Sequence, residues 1–82
     1  MTGSGSCDVT PLLVDARGLN CPLPLLKLKR AVATHPGVAV LELLATDADS
    51  VVDVEKFARQ AGYRLAVARD TGGVITCRLA RD

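Results

Sequence analysis

The stretch Asp15-Ala16-Arg17-Gly18-Leu19-Asn20-Cys21-Pro22-Leu23-Pro24 marks the place where a strand hands over to a helix. Proline fits the first helical position, because its missing N–H would have no intrahelical partner there and its φ is already helical. Pro22 therefore opens a helix. A residue before proline is pushed toward extended backbone, as an N-cap requires, so the spacing puts Cys21 at the N-cap. Pro24, at the third helical position, meets only the carbonyl of Asn20, which lies outside the helix, and is tolerated. The two prolines stiffen the first turn and leave the N–H groups of Leu23 and Leu25 pointing out of the helix end. A sulfur beside those groups and the positive end of the helix dipole is favoured as a thiolate or persulfide anion. The expectation is a reactive Cys21; the competing reading is a buried, inert thiol, since cysteine is among the most buried residue types.

Working outward, Leu12–Ala16 is rich in strand formers and Gly18 supplies the turn that follows. From Pro22 to Thr34, Leu25, Leu28, Ala31 and Val32 recur at three- and four-residue steps, with Leu26 and Ala33 widening the stripe, which predicts an amphipathic helix. Lys27 and Arg30 fall on its other side, and Lys29 falls near the edge of the apolar face, from which it must snorkel outward. His35 suits the negative end of the dipole, and Pro36-Gly37 stops the helix. Val38–Leu44 is a nearly continuous apolar run and reads as an interior strand, with Ala39, Leu41 and Leu43 under the helices. Ser50-Val51-Val52-Asp53 fits a capping box, so a second helix is predicted from Ser50 to Ala61 with Val51, Val54, Phe57, Ala58 and Ala61 buried and Gly62 ending it. Tyr63–Arg69 and Val74–Ala80 alternate around the turn residues Asp70-Thr71-Gly72-Gly73, which makes them a hairpin. Its inward residues are Leu65, Val67, Ile75, Cys77 and Leu79, so Cys77 reads as structural.

The order β-α-β-α-β-β, with right-handed crossovers, gives an α/β two-layer sandwich: a four-stranded mixed sheet with two helices on one face. The other face, with Ala, Thr, Arg and Glu, is expected to meet water. Residues 11–82 read as a single domain. Residues 1–10, rich in glycine and serine, read as a disordered tail that carries Cys7 without a function.

Ten basic residues against nine acidic leave a net charge of +1, too balanced to call for nucleic acid, and Phe57 and Tyr63 alone make no stacking platform. Three cysteines at irregular spacing do not form a disulfide framework. The absence of Cys-x-x-Cys leaves a dithiol redox site and a zinc knuckle unsupported, so neither a metal nor a cofactor is expected. Without a signal peptide or a long apolar segment, the expectation is a cytoplasmic monomer that does not enter a membrane.

Cys21-Pro22-Leu23-Pro24, led by Asp15-Ala16-Arg17-Gly18-Leu19-Asn20 and followed by Leu25-Leu26-Lys27-Leu28-Lys29-Arg30-Ala31-Val32, resembles the signature of the TusA (SirA-like) sulfur-carrier family. The resemblance implies a sulfurtransferase in which Cys21 accepts sulfane sulfur as a persulfide and relays it. The donor would be a cysteine desulfurase or a rhodanese-type protein, and the receiver a downstream acceptor protein in tRNA thiolation, molybdenum-cofactor assembly or sulfur oxidation. It also implies that Asp15 and Arg17 position the Cys21 loop or dock a partner. From the residues themselves, Gly18, Pro22 and Pro24 are expected to support the loop by turn and ring geometry, and Lys27, Lys29 and Arg30, on the helix near the sulfur, to dock an acidic partner. The chain departs from the family at Ala48, where a proline often follows the aspartate, and at Val52, where a basic residue is usual. Ala58 follows Phe57 where many members carry a second cysteine, which argues against a two-cysteine mechanism. Two other classes fit parts of the chain: an RNA-binding module using Lys27, Lys29, Arg30, Lys56 and Arg59, and a thiol-redox regulator using Cys21.

Overall fold

In the computed structural model, which describes residues 11–81, strands β1 (Leu12–Ala16), β2 (Val40–Ala45), β3 (Arg64–Arg69) and β4 (Ile75–Ala80) and helices α1 (Leu23–Thr34) and α2 (Ala48–Ala61) follow one another as β1-α1-β2-α2-β3-β4. The expected tail 1–10, with Cys7, lies outside the described residues. The sheet order is β1-β2-β4-β3, with β1 and β2 parallel and β4 antiparallel to both of its neighbours. A β-α-β crossover joins the parallel pair, and a hairpin joins β3 to β4. This is the sandwich expected from the residues, with α1 packed on β1 and β2 and α2 packed on β3 and β4.

The alternation of each strand decides which side chains meet the helices. Val14 and Ala16 from β1, Leu41, Leu43 and Ala45 from β2, and Ile75, Cys77 and Leu79 from β4 are all buried. All of these but Ala45 pack with Leu28 of α1, with Val51, Val54 and Ala58 of α2 and with Tyr63, so the core is aliphatic but for one aromatic ring and the Cys77 thiol. Strand β3, at the sheet edge, adds the half-buried Leu65 and Val67, which pair with Leu79 and Cys77.

Three expectations are corrected. The apolar stripes of both helices are narrower than the periodicity suggested: in α1 Leu28 is fully buried, whereas Leu26 is 53% exposed and Ala33 is also exposed, and in α2 the expected Ala61 is exposed. The reason is that each helix covers only half of a four-stranded sheet, so a second apolar row has nothing beneath it. Helix α2 begins at Ala48, two residues earlier than the capping box implied; Asp47 is its N-cap and accepts from the Asp49 N–H at 3.1 Å. Ser50 is instead buried, with its hydroxyl 3.4 Å from Asp47 Oδ2. The open face of the sheet is also less polar than expected. Leu13 lies across from Glu42, and Val40 and Leu44 share that face with Ala66, Ala68, Thr76, Arg78 and Ala80.

Gly62 ends α2 in the left-handed region at φ 83°, a conformation that side chains with a Cβ rarely adopt, and its N–H closes the helix onto Ala58 O.

Candidate functional site

Cys21 sits on the β1–α1 loop, at the C-terminal end of a parallel strand pair where the β2–α2 loop also emerges. Loops that follow neighbouring parallel strands lie side by side, and this adjacency assembles the site. Gly18 turns the chain at φ 81°, and its N–H donates to Thr46 Oγ1 at 2.8 Å. Three residues later the Cys21 N–H donates to Asp47 Oδ2 at 2.6 Å. Thr46 and Asp47, from the second loop, thus hold the first loop by its backbone. The Cys21 side chain is exposed.

The helix start differs from the one read in the sequence. Pro22, not Cys21, is the N-cap, Leu23 is the first helical residue and the buried Pro24 the second. The Leu23 N–H is taken by Asn20 O at 2.8 Å in a tight turn, so it is not free to bind an anion. The Cys21–Pro22 peptide bond is cis.

The electrostatics are opposite to the expected thiolate site. Cys21 Sγ donates to Asp53 Oδ2 at 2.8 Å. That hydrogen bond, loss of solvation, and the negative charges of Asp53, Asp47 and Asp49 push the thiol up to about 11. The terminus facing the sulfur is that of α2, and it brings three carboxylates with it. Asp47 is held below the usual carboxylate range by the backbone N–H groups of Cys21 and Asp49 and by Ser50. Asp53, which the sequence places in a capping box, is instead the carboxylate in hydrogen-bond contact with the Cys21 sulfur. The signal that could have located it is the pairing of β1 with β2, which brings the start of α2 beside Cys21.

The remaining expected residues fall into separate groups. Arg17 folds back on Asp15: its N–H, Nε and Nη2 donate to the Asp15 carboxylate at 3.1, 2.9 and 2.8 Å. These bonds hold Asp15 down at about 2. Lys27 Nζ donates to Asp15 O at 2.6 Å and ties α1 to β1. Lys29 turns the other way, with Nζ 6.0 Å from the centroid of the Phe57 ring on α2. Lys27, Lys29 and Arg30 thus do not form one patch. Lys27 and Arg30 instead border a hollow of about 380 Å³ with Leu19, Leu23 and Leu26. Leu23 and Leu26 are 49% and 53% exposed there, a feature hidden by assigning Leu26 to the core. Cys77 is fully buried, and burial pushes its thiol up. His35 caps the end of α1, its Nδ1 3.2 Å from Ala31 O. Among the described residues, no cluster of three or more His, Cys, Asp or Glu is placed to hold a metal ion, and no helix is long and apolar enough to cross a membrane.

The family model described as Sulfurtransferase TusA matches residues 13–81. The sulfur carrier protein TusA of Allochromatium vinosum is 43% identical over 60 residues, covering 73% of this chain and 79% of that protein. The sulfur carrier protein TusA of Pseudomonas putida is 34% identical over 69 residues, covering 83% of this chain and 86% of its own. Among solved structures, the SirA-like protein from Desulfitobacterium hafniense superposes with a TM-score of 0.76 at 27% identity, over 84% of this chain and 95% of that one. The match runs from the first strand through the last, Cys21 loop included, and the chain belongs to the Sulfurtransferase TusA family.

Proposed function

We propose that this protein is a cytoplasmic sulfur carrier in which Cys21 accepts a sulfane sulfur as a persulfide and hands it to an acceptor protein. The observation that carries the reading is an exposed thiol on a loop pinned by its backbone to a second loop, in a chain of this family. A carrier has to present one sulfur to two different active sites in turn, so it needs access without loop wandering. Pro22, Pro24 and Gly18 set the course of the loop, the Asp15–Arg17 fork braces its base, and Lys27 ties that base to α1. The donor is a cysteine desulfurase or a rhodanese-type protein, and the acceptor belongs to tRNA thiolation, molybdenum-cofactor assembly or sulfur oxidation. The exposed Leu23 and Leu26, bordered by Lys27 and Arg30, form the docking surface for the donor, with Lys29 set apart toward α2.

The test is intact-protein mass after incubation with a cysteine desulfurase, pyridoxal phosphate and cysteine. The expected result is a gain of one sulfur atom, reversed by dithiothreitol and missing only when Cys21 is replaced by serine. A Cys21→Ser chain that still gains sulfur, or a wild-type chain that gains none from either donor type, would refute the reading.

A further inference from the structure

A sulfur carrier uses its cysteine twice, first as the attacking group and then as the leaving group. Attack depends on the thiolate fraction, and departure is faster for a thiol that ionises easily. The surroundings of Cys21 disfavour both, because among the described residues the ionisable groups acting on its sulfur are acids: Asp53, Asp47 and Asp49, in the first turns of α2. These three differ in what they are free to do. Asp47 is committed through both oxygens to the N–H groups of Cys21 and Asp49. Asp49, in the first turn of α2, acts on the sulfur by its charge alone. Asp53, half-buried one turn further on, has Oδ2 in hydrogen-bond contact with Sγ at 2.8 Å.

Resting on the sulfur-carrier reading above, we propose that Asp53 is a catalytic residue that carries the proton of Cys21 through each sulfur transfer. In loading, Cys21–SH and a donor R–S–SH become Cys21–S–SH and R–SH. Sγ bonds to the outer sulfur while the Asp53 carboxylate takes its proton. The donor S–S bond breaks with its electron pair on the inner sulfur, and that departing thiolate receives the proton from Asp53. The transferred sulfur keeps its oxidation state, so no oxidant or reductant is consumed. Unloading is the same exchange run backward with the acceptor in the donor's place: the proton of the acceptor thiol passes by way of Asp53 to Sγ as the Cys21 S–S bond breaks. A carboxylate in contact with the sulfur thus offsets, at each transfer, the penalty that the acidic surroundings place on the free thiolate, and between transfers it keeps the exposed thiol protonated and slow to oxidise.

The experiment compares wild type, Asp53→Asn and Asp53→Glu in the full chain with Cys7 replaced by serine. Two rates are measured across pH: alkylation of Cys21 by iodoacetamide, and gain of sulfur from glutathione persulfide. Asn keeps the size of Asp but removes the charge, so alkylation at neutral pH is expected to rise about tenfold as the thiol ionises more readily. Loading is expected to fall about tenfold to a hundredfold, and Asp53→Glu to recover part of it. Opposite movement of the two rates is the signature, since a merely structural loss would not speed one and slow the other. Loading by Asp53→Asn that keeps pace with alkylation would overturn the proton-carrying role, and an alkylation profile that does not move would overturn the contact itself. If wild type takes up no sulfur from glutathione persulfide or from either protein donor, the carrier reading falls, a result distinct from both.

Discussion

Cys21 and Cys77 are both held as thiols, and they are held by opposite means. Around Cys77 the strands and helices close completely, and loss of solvation penalises its charged form. Around Cys21 the surface is open, and the penalty comes first from a hydrogen bond to a carboxylate. The buried Cys77 thiol cannot be reached, and among the described residues no carboxylate is hydrogen-bonded to it. An exposed thiol bonded to Asp53 can be reached and has one. The difference teaches that a raised thiol pKa does not by itself mark an inert cysteine; what matters is whether the cause is apolar packing or a group able to exchange the proton.

The most severe test of this contrast removes each sulfur in turn. Cys21→Ser is expected to abolish persulfide formation while leaving thermal unfolding unchanged. Cys77→Ser should load sulfur as wild type does but lose roughly 1–3 kcal/mol of stability in a urea titration, because it sets a hydroxyl in an aliphatic core. Loss of loading in the Cys77 variant under folding conditions would break the division of labour.

Labelling sharpens the same point. With Cys7 replaced by serine, iodoacetamide should modify one cysteine in the folded protein and the second only after denaturant is added, with peptide mapping placing the first label on Cys21. A native label on Cys77 would mean that the sheet opens under the helices.

Docking extends the comparison to the surface around the open thiol. Replacing both Leu23 and Leu26 by serine is expected to slow loading from a cysteine desulfurase severalfold and to leave loading from glutathione persulfide unchanged, since small donors need no docking surface. Both leucines are about half exposed, so each change should cost within about 0.5 kcal/mol of stability.

The smallest effect concerns the base of the loop. The folded-state pKa of Asp15, about 2, lies below its ordinary value of 3.8, so its pairing with Arg17 favours the folded state above pH 3.8 and ceases to do so as the pH falls through about 2. Carboxyl carbon NMR of the Arg17→Ala variant should show the Asp15 midpoint moving up toward 3.8, with Cys21 still loading sulfur. A midpoint that stays near 2 would show that the fork is not what holds it.

Much of the fold was legible because it rests on local rules. Alternation in β1, β3 and β4, the three- and four-residue steps in α1 and α2, Pro22 at a helix start and Gly62 at a helix end each depend on a few neighbouring residues. The misreadings occurred where two distant segments compete for the same group. Ser50 and Asp53 satisfy a capping-box pattern locally, yet Asp47 takes the cap and Asp53 reaches the sulfur 32 residues back. Leu26 fits the apolar stripe of α1, yet the sheet beneath is too narrow to cover it.

From its sequence alone this protein was determined to be a two-layer α/β sandwich of the TusA type with its distinctive cysteine at the start of the first helix. These are properties of periodicity and of a motif that lies within ten consecutive residues. Only the tertiary structure decided the chemistry of that cysteine. The parallel pairing of β1 with β2 sets the N-terminus of α2 against the sulfur, and three aspartates come with it. Ionisation depends on charges within a few ångströms in space, which the order of residues along the chain does not specify.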